Sequence, residues 1–294
     1  MPSPDQPATA AALPPAAPTP ALVAYSFGLT DPGRVRPSNE DHFLVADLSR
    51  TLRVRQTSLP QATTHRGRSR GYLLLVADGM GGHNAGEVAS ALSVETVEAF
   101  IVELLRRFSN LQPGDEHGVI QDLRTAVQHA DARILEEAQQ HPEFAGMGTT
   151  LTVAFASGRK LFVLHAGDSR CYLCRSGTLH RLTADHTVAA ELARHGAIRP
   201  EEVRSHPYRH VVTNVLGGDH AGVRVDVQRV EMEAGDVVLL CSDGLTDMLD
   251  DGRIAAVLTA ETEPEAACRR LVAEANAAGG RDNVTVVVTR FEVA

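Results

Sequence analysis

The chain has 294 residues, of which 43% are hydrophobic. This is enough to bury one large core, and we expect most of the chain to form a single domain. Acidic residues outnumber basic ones by 37 to 28, and the net charge of -9 argues against a general nucleic-acid-binding protein. The four cysteines are too few and too unevenly spaced for a disulfide framework and favour a reducing compartment. No apolar run reaches the roughly 18 to 20 residues that span a bilayer, and the N-terminal residues lack the pattern of a signal peptide, so we predict a cytoplasmic protein without a membrane span.

Two stretches have compositions that do not predict regular structure. Residues 1–21 are rich in alanine and proline, and we predict a disordered tail followed by one domain at 22–294. Residues 50–70 contain six arginines and no acidic residue. We interpret this stretch as a solvated, mobile basic loop, with a docking surface for an acidic partner as the alternative.

Short runs rich in valine and leucine predict strands along the rest of the chain. In chain order they are 22–29, 42–48, 72–77, 150–156, 160–165, 171–175, 223–230, 237–241 and 284–291. Apolar residues that recur every three or four positions predict helices over about 88–108 and 120–138. A third helix is predicted from Pro264 to about residue 277, where Gly279 and Gly280 follow as a stop signal.

The order of these elements favours one fold class over another. Tight turns between neighbouring strands indicate antiparallel pairing, and the helices come in pairs rather than after each strand. This arrangement predicts an α+β fold in which helices cover sheets, and it argues against a doubly wound parallel sheet.

Several predicted strands end in, or begin just after, an aspartate. Asp78, Asp168 and Asp243 follow apolar runs, and Asp282 precedes one. Carboxylates gathered at the rim of a sheet repel one another unless a cation neutralises them. Oxygen ligands suit hard ions such as Mg²⁺ or Mn²⁺ better than zinc. A single Asp-Gly pair is more often a turn, but four such aspartates in one chain predict a metal site.

The segment 31–41 adds a candidate phosphate ligand. Arg36 lies just before two adjacent acids, Glu40 and Asp41, at the start of a predicted strand. A planar guanidinium binds two phosphate oxygens at once, so Arg36 is a candidate phosphate clamp, with a surface arginine as the alternative. Glu40 and Asp41 either orient metal-bound waters or cap the start of the strand.

Seven motifs that contain these residues follow one another along the chain. They are Asp31-x-Gly33-x-x-Arg36-x-x-Asn39-Glu40-Asp41, Asp78-Gly79-Met80-Gly81-Gly82-His83, Gly148-Thr149-Thr150, Gly167-Asp168-Ser169-Arg170, Asp185-His186, Ser242-Asp243-Gly244 and Arg281-Asp282-Asn283. In this order, and over about 23–291, the sequence resembles the metal-dependent protein phosphatases of the protein phosphatase 2C family, in their bacterial form. The resemblance implies a four-layer α-β-β-α sandwich with two central antiparallel sheets and a dinuclear metal site at the sheet ends.

The resemblance also implies a role for each matching residue, and two to three Mn²⁺ or Mg²⁺ ions. Asp78 would bridge two ions, the carbonyl of Gly79 would bind one of them, and Asp243 and Asp282 would bind the other. Asp168 with Asp243 would hold a weaker third ion. Arg36 would take the substrate phosphate, Glu40 and Asp41 would lie behind the ligands, Asn283 would shape the site, and residues 189–218 would form a flap beside it.

The implied reaction is hydrolysis of phosphoserine and phosphothreonine by direct attack of a water or hydroxide that bridges the metals. The implied partners are phosphorylated proteins, expected to be the substrates of a Ser/Thr kinase, and we expect a monomer. One position departs from some family members, which have a histidine after the Asp-Gly pair as a proposed proton donor, whereas this chain has Met80. The general acid is therefore left open between a metal-bound water, His83 and no residue.

Two other functions are compatible with these residues. One is a catalytically silent phosphate-binding regulatory domain, which the intact set of Asp78, Asp243 and Asp282 opposes. The other is a hydrolase of a small phosphorylated metabolite. The single lysine, Lys160, lies outside any Walker-type loop, so a P-loop nucleotidase is excluded.

Overall fold

The computed structural model describes residues 22–49, 52–57, 70–81, 85–107, 116–219 and 222–293. Within these ranges the strands form two antiparallel sheets, one of five and one of eight strands. The five-stranded sheet has the order β1-β13-β12-β8-β9. Its strands are β1 (Leu22–Asp31), β8 (Arg170–Arg175), β9 (Thr178–Arg181), β12 (Val237–Cys241) and β13 (Val284–Val293).

The eight-stranded sheet has the order β10-β5-β4-β6-β7-β11, and β2 pairs with both β4 and β3. Its strands are β2 (Asp41–Ser49), β3 (Leu52–Thr57), β4 (Arg70–Met80), β5 (Gly148–Thr149), β6 (Leu151–Ser157), β7 (Lys160–Ala166), β10 (Leu216–Gly217) and β11 (Asp226–Glu231). The helices are α1 (Ala85–Arg107), α2 (Glu116–Gln140), α3 (Val188–Arg194), α4 (Asp243–Thr246), α5 (Asp251–Ala260) and α6 (Pro264–Ala277), with 3₁₀ turns at Pro142–Phe144 and Pro200–Ser205. None of the helices in the described ranges is long and apolar enough to cross a membrane.

Three buried clusters define the order of the layers. In β4, Leu73 and Leu75 pack against α1 and α2, whereas Leu74 and Val76 face the other sheet. Successive side chains of a strand point to opposite faces, so a strand buried on both faces appears as a continuous apolar run. The third cluster lies between the five-stranded sheet and helices α5 and α6. The molecule is therefore an α-β-β-α sandwich, and the predicted α+β fold with two antiparallel sheets is confirmed.

The structure differs from the predicted elements in several places. Strand β3 lies inside the stretch 50–70 that we interpreted as a loop, so that part of the interpretation is wrong. Its sequence alternates apolar and polar residues, as a strand with one covered face does, and it pairs with β2. The strand predicted at 223–230 begins only at Asp226, and β9, α3 and α5 were not predicted. The predicted tail at 1–21 and the remainder of the basic loop at 58–69 lie outside the described residues.

Candidate metal and phosphate site

The two sheets bring the four predicted aspartates to one cavity of about 470 Å³, which we call the aspartate cavity. Asp78 lies near the end of β4, and Asp168 follows the end of β7. Asp243 begins α4 just after β12, and Asp282 lies two residues before β13. All four side chains line the cavity because these strand ends meet at one rim of the sandwich.

The carboxylates of the cavity raise one another's pKa. Burial is the main cause of the raised pKa of Asp78, and the charges of Asp41 and Asp243 add to it. The pKa of Asp243 is also raised well above its ordinary range. Burial is the largest cause, and the charge of Asp168 is the second largest. The pKa of Asp168 itself rises to about 7, chiefly through burial. This concentration of negative charge is unfavourable without a cation.

The chemistry of the donors tests whether divalent ions fit this cavity. Asp78, Asp243, Asp282 and the backbone carbonyl of Gly79 offer only oxygen, the ligand type that Mg²⁺ and Mn²⁺ prefer. Behind them, Asp41 is 2% exposed, and its Oδ1 is buried without a hydrogen-bond partner. Buried, uncompensated acceptors of this kind are expected where a cation or its water supplies the missing partner. The residues present therefore fit hard divalent ions.

Arg36 lies at the rim of the aspartate cavity, on the turn between β1 and β2. Its Nη2 donates to Asp282 Oδ2 at 2.6 Å, and the Arg36 side chain is 54% exposed. The turn is held against the segment before β13, because Arg34 N donates to the carbonyl of Gly280 at 2.7 Å. Gly33, at φ +80°, leaves no room for a side chain, since a Cβ there would lie 2.3 Å from the Asp282 carbonyl oxygen. The guanidinium is thus positioned beside a candidate metal ligand and open to a bound phosphate.

Asp41, Asn283 and Glu40 connect the segments that carry the candidate ligands. Asp41 lies opposite Asp78 in the β2–β4 pairing, and its Oδ2 accepts from Ser242 Oγ at 2.8 Å. Asn283 Oδ1 accepts from the backbone N–H of Glu40 at 2.8 Å, and its amide donates to the carbonyl of Ser38 at 2.8 Å. These bonds tie the segment before β2 to the segments that carry Asp243 and Asp282. Glu40 lines the cavity itself.

The glycines that follow Asp78 and Asp243 are required by close backbone contacts. A Cβ on Gly79 would lie 2.1 Å from the carbonyl oxygen of Gly86, and one on Gly244 would lie 2.0 Å from that of Asn283. Both neighbours are backbone atoms, which have little freedom to move away. The Asp-Gly pairs therefore reflect tight packing beneath the cavity rather than the turns that such pairs more commonly form.

We expect the substitution Gly244→Ala to lower the free energy of unfolding by about 2 to 3 kcal/mol through overpacking. Urea denaturation measures the effect. Gly252→Ala, on an exposed position of α5 where the nearest atom is Asp250 Oδ1 at 3.3 Å, is the matched control. It should be neutral or slightly stabilising because alanine favours helix. Equal midpoints for the two variants would contradict the close contact.

The flap segment 189–218 lies beside the cavity and contributes residues that the sequence did not identify. Arg209 and His210 line the aspartate cavity together with Asp247. The ring nitrogens of His210 lie 3.9 Å from Asp243 Oδ2 and 3.5 Å from Asp247 Oδ2. Asp247 follows Asp243 by four residues, which is one helical turn, so the spacing was a usable signal. The side chains of His210, Asp243 and Asp247 are close enough to one another to hold a metal ion.

The motif Asp185-His186, which had no role assigned from the sequence, joins the flap to the segment of Asp168. The buried ring of His186 accepts hydrogen bonds at Nδ1 from Gly167 N–H at 3.1 Å and from the Asn214 amide at 2.9 Å. Nε2 then carries the proton and donates to Asp226 Oδ2 at 3.0 Å. Burial lowers the pKa of His186, which favours the neutral ring.

Of the two positions discussed for the general acid, His83 lies outside the described residues, and Met80 lines the aspartate cavity.

Comparison with known proteins gives the family. The sequence profile of protein phosphatase 2C matches residues 54–275. The serine/threonine protein phosphatase PstP of Mycobacterium tuberculosis is 40% identical over 216 residues, which cover 74% of this chain and 40% of that protein. The serine/threonine phosphatase stp of Listeria monocytogenes is 31% identical over 264 residues, which cover 90% of this chain and 94% of that protein. The chain belongs to the protein phosphatase 2C family.

A solved structure agrees with this assignment. The catalytic domain of PstP in complex with two manganese ions has a TM-score of 0.71 and 34% identity, and the match covers 92% of this chain and 99% of that one. This likeness supports the sandwich fold described above. In sequence, the chain spans about two fifths of the full length of the mycobacterial relative.

Proposed function

We propose that this chain is a metal-dependent phosphoprotein phosphatase that hydrolyses phosphoserine and phosphothreonine. The observation that carries the proposal is the aspartate cavity, where Asp78, Asp168, Asp243 and Asp282 meet with Arg36 at the rim. Relatives that are named serine/threonine protein phosphatases, and one of them solved with two manganese ions, support the proposal. A silent regulatory domain and a metabolite phosphatase have no comparable support.

In this proposal the chain holds two Mn²⁺ or Mg²⁺ ions. Asp78, the carbonyl of Gly79, Asp243 and Asp282 would hold them. Asp168 with Asp243 holds a weaker third ion. Such ions would supply activation of a water molecule for attack on phosphorus and would neutralise charge on the phosphoryl group.

The other residues bind and orient. Arg36, whose Nη2 donates to Asp282 Oδ2, would turn its guanidinium to two oxygens of the substrate phosphate. Asp41 and Asn283 hold the strand ends that carry the ligands in register. The thioether of Met80 has no proton to donate, so this position does not serve as a general acid.

The function is tested by hydrolysis of a phosphothreonine peptide by the full chain. We expect turnover with Mn²⁺ or Mg²⁺, loss of turnover in excess chelator, and recovery when Mn²⁺ is added back. A panel of small phosphorylated metabolites at the same concentrations should give much lower kcat/KM. Metal binding without turnover of any phosphopeptide would favour the silent phosphate-binding domain instead. Faster turnover of a metabolite than of the phosphopeptide would favour a metabolite phosphatase.

We predict that Arg36→Ala lowers kcat/KM for a phosphothreonine peptide by about 10- to 100-fold. A hydrogen bond to a charged group contributes about 1.5 to 3 kcal/mol, and Arg36 would make such bonds to the phosphate. Steady-state kinetics at saturating Mn²⁺ gives the value. Arg34→Ala is the matched control, because Arg34 is exposed on the same turn and does not line the cavity. A similar loss in both variants would show that the turn, rather than the Arg36 guanidinium, matters.

Two finer statements complete the proposal. The phosphoprotein substrates are those of a Ser/Thr kinase, and the chain acts as a monomer in the cytoplasm. The four cysteines are free and buried, in keeping with a reducing compartment. Fractionation of cells with an antibody to this chain tests the cytoplasmic location, and its mass by light scattering tests the monomeric state.

A further inference from the structure

A second cavity, of about 580 Å³, opens beside the aspartate cavity, and we call it the flap cavity. Helix α3 and the 3₁₀ turn Pro200–Ser205 of the flap form one side of it. The two cavities share the lining residues Asp168, Arg209, His210, Asp243 and Asp247. A peptide whose phosphate lies over the aspartates can therefore continue directly into the flap cavity.

The flap cavity has an acidic end and a basic end. Its acidic end consists of Asp168, Asp243 and Asp247, which also line the aspartate cavity. Metal ions bound there would neutralise these carboxylates. Five arginines line the cavity, but two of them, Arg170 and Arg181, are already paired with Asp185. Asp251 also lines the cavity and acts on Arg181, so two carboxylates offset the charges of these two arginines.

The remaining three arginines have no carboxylate partner among the residues that the structure describes. Arg194 donates to the backbone carbonyl of Asp185 at 3.3 Å, which does not neutralise its charge. Arg204 and Arg209 form no ion pair with any residue in the described part of the chain, whereas Arg199, on the same segment, pairs with Glu202 at 3.0 Å. The net charge of the whole chain is -9, so unpaired arginines that face one cavity create a local positive region on an acidic protein.

We propose that the flap cavity is a subsite for a second anionic group of the substrate, held by Arg194 and Arg204. The guanidinium fork matches both a carboxylate and a phosphate, so either a second phosphorylated residue or a glutamate fits. A cube of the same volume has a side of about 8 Å, which about two or three extended residues span. The preferred substrates are thus phosphopeptides with an anionic residue about two or three positions from the residue that is dephosphorylated. This inference rests on the proposed phosphatase function.

The test compares phosphothreonine peptides that differ at one position only. The varied position lies two or three residues from the phosphothreonine, on either side. That position carries phosphoserine, glutamate or glutamine. We expect kcat/KM with Mn²⁺ to be about fivefold higher for the two anionic peptides than for the glutamine peptide, the size of one exposed charge-assisted contact. The phosphoserine and glutamate peptides together show whether a second phosphate is needed or any anion suffices.

The double variant Arg194→Gln, Arg204→Gln should bring the anionic-to-glutamine ratio of kcat/KM close to one. The control Arg133→Gln removes one charge from an exposed position of α2 outside both cavities and should leave the ratio as in the wild type. A ratio of one in the wild-type protein, or an unchanged ratio in the double variant, overturns the subsite. Hydrolysis of the glutamine peptide separates that result from failure of the proposed function, which would abolish turnover of every peptide.

Discussion

Asp243→Asn should lower kcat for a phosphothreonine peptide by on the order of 10³-fold. Asp243 lines the aspartate cavity together with Asp168 and Asp282, whose charges help to raise its pKa, and, by our proposal, it binds a metal ion. Asparagine has the same size but removes the charge, so a metal ion held there is lost or misplaced. Metal ions contribute several kcal/mol of transition-state stabilisation, and each 1.36 kcal/mol is tenfold in rate. The measurement is kcat at saturating Mn²⁺, with circular dichroism to establish that the variant is folded.

The control for this variant is Asp250→Asn. Asp250 lies seven residues further along and caps α5, where its Oδ1 accepts from the backbone N–H of Arg253 at 2.7 Å. Asparagine caps a helix about as well as aspartate, so both activity and stability should stay near wild type. Full activity of Asp243→Asn would contradict the proposed metal ligation.

Without metal ions, the protein should become less stable as the pH rises from about 6.5 to 8. Burial and neighbouring carboxylates raise the pKa of Asp168 to about 7 and that of Asp78 well above its ordinary value. These groups hold protons in the folded chain that they have already lost in the unfolded chain, so unfolding releases protons and stability falls with rising pH. The buried histidines His42, His165 and His186, whose pKa burial lowers, act in the opposite sense near pH 6.5, where unfolded histidine is half protonated, but by only about 0.4 kcal/mol each, so the carboxylates set the direction. We expect a loss of about 1 kcal/mol, or about 2 to 4 °C in Tm.

Thermal unfolding in chelator at pH 6.5 and 8 measures this loss, and Asp243→Asn should reduce it because one repelling carboxylate is gone. Added Mn²⁺ should reverse the trend, since metal ligation requires deprotonated carboxylates. At about 100 times its Kd, the ion should add about 2.7 kcal/mol of stability. Equal Tm values at the two pH values without metal would show that the carboxylates do not repel as described.

The elements that were predicted correctly share one property, which is burial. Strands β4 and β12 are covered on both faces, so their sequences are continuous apolar runs, and α1 and α2 carry apolar stripes that pack on the sheet. Two of the missed strands lie at sheet edges. Strand β9 is a four-residue edge strand with mostly exposed side chains, and β3 pairs with β2 alone. Their apolar content is too low to distinguish them from loops.

The sequence by itself determined the α+β class, the family and the four aspartates at strand ends, because each depends on local pattern and order along the chain. The tertiary structure alone decided how those aspartates interact. It pairs Asp41 with Asp78 across β2 and β4, places His210 beside Asp243 and Asp247, and leaves Arg194 and Arg204 without a carboxylate partner among the described residues that surround the flap cavity. Such relations join residues that are remote in sequence, as in the bond between Ser242 and Asp41, which are 201 positions apart. Distances and charges between remote segments depend on how the sheets pack, and no local pattern records them.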